Sequence, residues 1–165
     1  MIDIITLKET HWEAVRTIFV EGILTNNATF TSLSEVPSWN DWSKNHLIHS
    51  RFVAVYNDKV VGWSALTPYS EKYSYRGVAE VSVYVALEEK DKGIGKKILQ
   101  KLVATSEENG IWTLHARVYP ENEASIHIHK QLDFFDIGTM KKAGKIDEIW
   151  RDVIILERRS KKVGN

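Results

Sequence analysis

The run from Glu80 to Lys97 constrains the fold of this chain more than any other segment. Val81, Val83 and Val85 alternate with Glu80, Ser82 and Tyr84, which predicts a strand with the valines on one face. A short charged turn follows. Gly93 and Gly95 then open an amphipathic helix whose apolar stripe is Ile94, Ile98, Leu99 and Leu102, and Asn109-Gly110 is its stop signal. A strand running into a glycine-rich helix start suits phosphate oxygens. Its first N–H groups have no helical partner and the helix dipole favours negative charge there. A Gly-x-Gly pair also begins many purely structural helices; the carboxylate of Glu80 on the preceding strand makes this one a candidate site.

The rest of the chain predicts one mixed α/β domain over residues 1–157, followed by a charged tail, 158–165, expected to fray. Ile2 to Leu7 reads as a first strand. Thr10 to Glu13 has capping-box spacing ahead of a helix burying Trp12, Val15, Phe19 and Ile23. Pro37-Ser38-Trp39 opens a second helix reaching about His49. Phe52–Tyr56 and Val60–Leu66 flank Asn57-Asp58-Lys59, a hairpin signal. Leu114, Ala116 and Val118 alternate with Thr113, His115 and Arg117 as a strand that Pro120 ends, and Asn122 then caps a helix to about Leu132. A last hairpin, Phe134 to Leu156, is expected to turn near Ala143-Gly144-Lys145.

Composition narrows function by exclusion. The 165 residues carry 22 Lys plus Arg against 22 Asp plus Glu, a balance that argues against a nucleic-acid coat. There is no cysteine, so thiolate metal sites and cysteine nucleophiles are excluded. No apolar stretch approaches the ~20 residues that cross a bilayer, and no signal peptide is evident at Met1, so a cytoplasmic protein is expected. His46 and His49 lack a third ligand, and a solvated helix face is the expectation for them; no metal is expected.

Several segments together resemble the GCN5-related N-acetyltransferase (GNAT) superfamily, and its phosphinothricin and methionine sulfoximine acetyltransferase branch in particular. They are Asn27-Ala28-Thr29-Phe30, Pro68 through Val85, Gly110 to Leu114, the Asn122-x-x-Ser125-x-x-x-His129 spacing, and Trp150-Arg151-Asp152-Val153. The resemblance covers nearly the whole chain. It implies a central, mixed, mostly antiparallel sheet with about four helices, acetyl-CoA as co-substrate, and a homodimer. It also implies a pyrophosphate loop at Lys90-Asp91-Lys92-Gly93-Ile94-Gly95 with Lys96, although Lys90 stands where the family has Arg or Gln, and Asp91 where relatives often have Gly. A second departure is Asp133-Phe134 in place of Gly-Phe.

The resemblance further implies that the backbone of Val83-Tyr84-Val85 pairs with the pantetheine arm and offers an oxyanion N–H, with Asn122 and Ser125 seating the same arm. Spacing alone leaves Glu80 facing solvent or paired with Arg76; the resemblance makes it the general base that deprotonates an incoming amine. His129 stands where many relatives carry a tyrosine acid, and is read as acid, as a partner base, or as a core histidine. Arg76, four residues before Glu80, is the expected grip on a substrate carboxylate. Phe30, Trp63 and Tyr75 are read as pocket walls or as core. The expected activity is acetyl transfer from acetyl-CoA to the amino group of a small amino-acid-like substrate such as phosphinothricin or methionine sulfoximine or sulfone, by direct attack in a ternary complex. The alternatives are acetylation of a protein N-terminus or another small amine, and a non-catalytic acyl-CoA-binding sensor.

Overall fold

In a computed structural model describing residues 1–165, seven strands build one sheet. They are β1 (Asp3–Thr6), β2 (Arg51–Tyr56), β3 (Lys59–Pro68), β4 (Val78–Val85), β5 (Thr113–Val118), β6 (Phe135–Ile146) and β7 (Ile149–Arg159), in the spatial order β1-β2-β3-β4-β5-β7-β6. Every neighbouring pair is antiparallel except β4 and β5. A parallel pair needs a long crossover, and α3 (Ile94–Glu108) supplies it; α1 (Trp12–Leu24), α2 (Trp39–Asn45) and α4 (Glu123–Lys130) complete the fold. The expected mixed sheet with four helices is what the chain forms.

Two cores sandwich the sheet. On one face α3 buries the expected stripe of Ile94, Ile98, Leu99 and Leu102 against Ala54, Leu66, Ala79, Leu114 and Leu156. On the other, α1 lays Trp12, Val15, Ile18, Phe19 and Ile23 with Trp42 of α2 over Val53, Trp63 and Ala65. Each large apolar side chain so buried contributes about 1.5–3 kcal/mol relative to exposure, so the period-2 and period-3.6 patterns together fix which strand faces which helix. No helix is long and apolar enough to cross a membrane.

Local details depart from expectation in several places. Thr10 does not cap α1: residues Glu9–His11 form a 3-10 turn in which the Lys8 N–H donates to His11 Nδ1 at 3.1 Å. Helix α2 stops at Asn45, because buried Arg51 reaches up to bond the carbonyls of Ser43, His46 and Leu47 (2.7, 2.6 and 3.3 Å) and so terminates it. His46 is consequently not on a solvated face; it stacks on Trp42 with ring centroids 4.0 Å apart. The last hairpin turns at Asp147-Glu148, both at positive φ (48° and 65°), while Gly144 sits at a register shift after Met140. Glycine draws the expected turn forward in the sequence; the two-residue turn is made by acidic residues that tolerate the left-handed region less well.

The C-terminal segment does not fray. Its first residues extend β7, and Ser160 is 4% exposed. Buried Glu107 of α3 accepts from Arg158 (2.9 Å) and Ser160 Oγ (2.8 Å) and pairs with Lys162 (3.2 Å). Arg159 holds the carbonyls of Trp112, Val163 and Gly164.

Candidate active site

The site begins where the sheet splits. Strands β4 and β5 pair only from Val78↔Thr113 to Glu80↔His115 and then diverge. Beyond that point Val81–Val85 keep β3 on one side and have no strand on the other. The bonds flanking this stretch, Ala86 N–H to Val61 O (2.9 Å) and Tyr69 N–H to Val78 O (3.1 Å), fix its phase. Antiparallel strands exchange bonds at alternate residues, so the backbone groups of Val83 and Val85 are turned away from β3 into the gap. A row of unpaired donors and acceptors at a parallel strand's C-terminal end is the equivalent of an exposed sheet edge.

Two cavities open from that edge. The first, about 280 Å³, runs along the α3 N-terminus and is lined by Val83, Tyr84, Val85, Lys90, Asp91, Gly93, Ile94, Gly95, Lys96, Asn122 and Ser125, among others. Eleven of the twelve expected donor-site residues therefore face one space. Lys92 does not line it; its ammonium pairs with Glu89 at 2.7 Å. Gly93 takes φ +74° and Asp91 φ +62°, so two left-handed residues curl the loop and present backbone N–H groups as a nest. The first bond back into α3 is Lys97 N–H to Gly93 O, which leaves the N–H groups of Ile94, Gly95 and Lys96 without a helical partner. These orphan donors, with Lys90 and Lys96, fit a diphosphate, and the unpaired β4 edge fits an amide-bearing arm.

The second cavity, about 380 Å³, is lined by Glu80, Ser82, Arg117, Tyr119, His129 and Phe30 together with Met140 and Ala143 of β6, Val153 of β7 and the 28–31 loop. Ala28, Val83, Tyr84, Asn122 and Ser125 line both cavities, so the two meet at the β4 edge. Glu80 pairs with Arg117 rather than Arg76: its Oε2 lies 3.4 Å from Arg117 Nε, with side chains 34% and 51% exposed. A pair this exposed is worth at most about 1 kcal/mol, so a ligand charge can displace it.

His129 is buried, and its Nδ1 lies 2.7 Å from the Ser125 carbonyl. A carbonyl can only accept, so Nδ1 carries the proton and Nε2, buried without a partner, presents a lone pair. Burial holds this imidazole below its ordinary pKa, with the Ser125 bond opposing. As held, His129 accepts a proton; it has none on Nε2 to give. Tyr119, which no motif in the sequence singles out, brings a buried hydroxyl without a partner to the same cavity. Burial pushes it up to about 12, so it stays protonated and is a donor.

The loop over both cavities is fastened by Arg151, which bonds Asn26 O, Asn27 Oδ1 and Glu121 Oε2 while stacking 4.2 Å over the Tyr119 ring. Asn122 caps α4 by accepting from Ser125 N–H (3.2 Å) and donates to Asn27 O (3.1 Å). Of the four expected acceptor-site residues only Phe30 lines the cavity, edge-on to Tyr119 at 5.1 Å. Trp63 is core: 2% exposed, stacked beneath Tyr84 at 4.7 Å. Tyr75 packs edge-on to Tyr69 at 5.4 Å, outside it. Arg76 lies 4.2 Å over Tyr73 and 5.1 Å over Trp112. It precedes β4, following a 3-10 turn, so strand alternation does not set its direction. Arg117 is the cation the cavity contains. The adjacency of β4 and β5 implied by a βαβ crossover is the sequence signal that points to it.

Comparison with known proteins agrees with this architecture. Over 99 residues the chain is 29% identical to the L-methionine sulfoximine/L-methionine sulfone acetyltransferase of Pseudomonas paraeruginosa, a match covering 60% of this chain and 58% of that protein. It is 32% identical over 108 residues to the phosphinothricin N-acetyltransferase of Alcaligenes faecalis, covering 64% and 54%. The chain thus spans little more than half the length of these relatives. The crystal structure of a GNAT superfamily phosphinothricin acetyltransferase from Sinorhizobium meliloti in complex with AcCoA superposes with a TM-score of 0.85 over 96% of this chain and 88% of that one, at 23% identity. The GNAT pattern itself matches residues 12–134, from the start of α1 through the splayed strands and the phosphate-type loop to the end of α4. By that match the chain belongs to the acetyltransferase (GNAT) family.

Proposed function

We propose that this protein transfers the acetyl group of acetyl-CoA to the amino group of a small amino-acid-like molecule, by direct attack with both substrates bound. One observation carries the reading: two cavities, one ending in a diphosphate-type nest and the other holding a carboxylate and a neutral histidine, meet at five shared residues on an unpaired strand edge. In this reading the nest and Lys90 and Lys96 hold the pyrophosphate, and the β4 edge aligns the pantetheine arm. A backbone N–H of the Val83–Val85 stretch faces the developing oxyanion, a role in which one donor is worth about 3 kcal/mol. Glu80 takes the proton from the ammonium, with the Nε2 lone pair of His129 as a second acceptor. Tyr119 is the protonated group in reach of the same space. The acceptor class rests on the relatives' substrates and on the cavity, which at about 380 Å³ has room for an amino acid and carries one charge of each sign.

The test is purified protein with acetyl-CoA and a panel of amino acids, including methionine sulfone, methionine sulfoximine and phosphinothricin, following free thiol. Thiol release that depends on the amino acid supports the proposal. CoA binding without release for any amine would overturn it in favour of an acyl-CoA-binding sensor.

A further inference from the structure

We infer that Arg117 is the residue that selects the acceptor by its carboxylate, and that it does so by exchanging partners with Glu80. This rests on the acetyl-transfer reading above and names the substrate class of the same site. The other polar side chains of the acceptor cavity are neutral or acidic; Arg117 is its one lysine or arginine. Its guanidinium lies 3.4 Å from Glu80 at Nε, and neither terminal nitrogen makes a hydrogen bond. The end formed by the two terminal nitrogens, which fits a carboxylate end-on, is therefore open. Both residues sit on the same sheet face, because β4 and β5 run parallel with Glu80 opposite His115, two residues before Arg117.

An α-amino acid carries its carboxylate and ammonium on one carbon, so its two charges match a cation and an anion in contact. Seated across the pair, the carboxylate takes Arg117 and Glu80 is released beside the ammonium whose proton it must accept. Binding of the right acceptor thus frees the base. An amine without a carboxylate leaves Glu80 tied to Arg117, which disfavours polyamines and protein N-termini alike. Arg76, held against Tyr73 and Trp112, has no part in this exchange.

The test compares L-methionine sulfone with its carboxamide, which keeps the amine and side chain and loses the acid, in wild type, Arg117→Gln, Arg117→Lys and Arg76→Gln. We expect wild type to prefer the free acid. Arg117→Gln should raise KM for the free acid about 10- to 100-fold while the carboxamide, for which the change unties Glu80, is turned over at least as well as by wild type; Arg117→Lys should recover part of the preference, and Arg76→Gln should keep it. A preference that survives in folded Arg117→Gln, or that collapses in Arg76→Gln, overturns the inference. If wild type releases thiol with neither probe nor any other amino acid of the panel, the acetyl-transfer reading fails by itself. Calorimetric titration of the CoA-saturated protein with methionine sulfone then decides Arg117 separately: binding lost in Arg117→Gln supports the inference, and binding retained refutes it.

Discussion

At the scale of single residues, two side chains carry most of what is distinctive. Glu80 stands between a weak, half-exposed partner and the acceptor cavity. If it accepts the amine's proton, Glu80→Gln should lower kcat/KM strongly at neutral pH. The loss should shrink as pH approaches the pKa of the amine, since the substrate then arrives already deprotonated. A pH–rate profile of both proteins checks this, and a loss of equal size at every pH would remove Glu80 as base. Asp91 is the other. It holds φ +62° and lines the donor channel, so it is strained by about 1 kcal/mol and places a negative charge beside the expected diphosphate. Asp91→Gly should raise stability by about that amount and tighten CoA binding several-fold in a titration. Asp133, at φ +65° but outside the channel, is the control: Asp133→Gly should gain stability with CoA affinity unchanged. Equal CoA affinity in wild type and Asp91→Gly would show that the carboxylate does not face the phosphates.

At the scale of elements, local patterns are legible in the sequence and junctions are not. The valine alternation of β4, the stripe of α3 and the Asn122 cap are each written within one contiguous segment, and each forms as read. The donor half of the site is legible for the same reason, being one strand and the loop after it. The acceptor half is assembled from β4, β5, α4, β6, β7 and the 28–31 loop. Its membership depends on strand order and on where β4 and β5 part, which no single segment encodes. Spacing along a strand favours Arg76 over Arg117, but Arg76 lies before the strand begins and the rule does not reach it. The C-terminal segment shows the same limit: its charges read as a solvated end, yet α3 supplies Glu107 beneath them. Burial alone would raise that carboxyl, but bonds from Arg158, Ser160 and Lys162 outweigh it and hold the carboxyl below its ordinary 4.5. A carboxyl lowered on folding stabilises the fold above its unfolded pKa, and that contribution is lost as pH falls below about 4.5 and through the lowered value. Breaking such a buried pair from one side costs about 3–5 kcal/mol. Glu107→Ala should therefore shift the urea midpoint sharply downward at pH 7, and the difference from wild type should shrink as the pH is taken progressively below about 4.5. A midpoint unchanged at pH 7 would mean that the tail is not held through Glu107.

At the scale of the whole molecule, the fold turns a topological necessity into a reaction site. A sheet with one parallel pair must cross over through a helix, and here the crossing helix starts at a nest while the parallel strands splay beside it. The result is two cavities, meeting at one strand edge, that can be filled at once. With no cysteine in the chain, nothing here is suited to storing the acetyl group as a thioester between two half-reactions. The central claim is thus that donor and acceptor are present together when the acetyl group moves. Initial velocities measured while acetyl-CoA and the preferred amino acid are both varied test it most directly. Intersecting double-reciprocal lines, with no acetylated protein detected by mass spectrometry after acetyl-CoA alone, are the result this structure leads us to expect. Parallel lines accompanied by a kinetically competent acetyl-protein would contradict it.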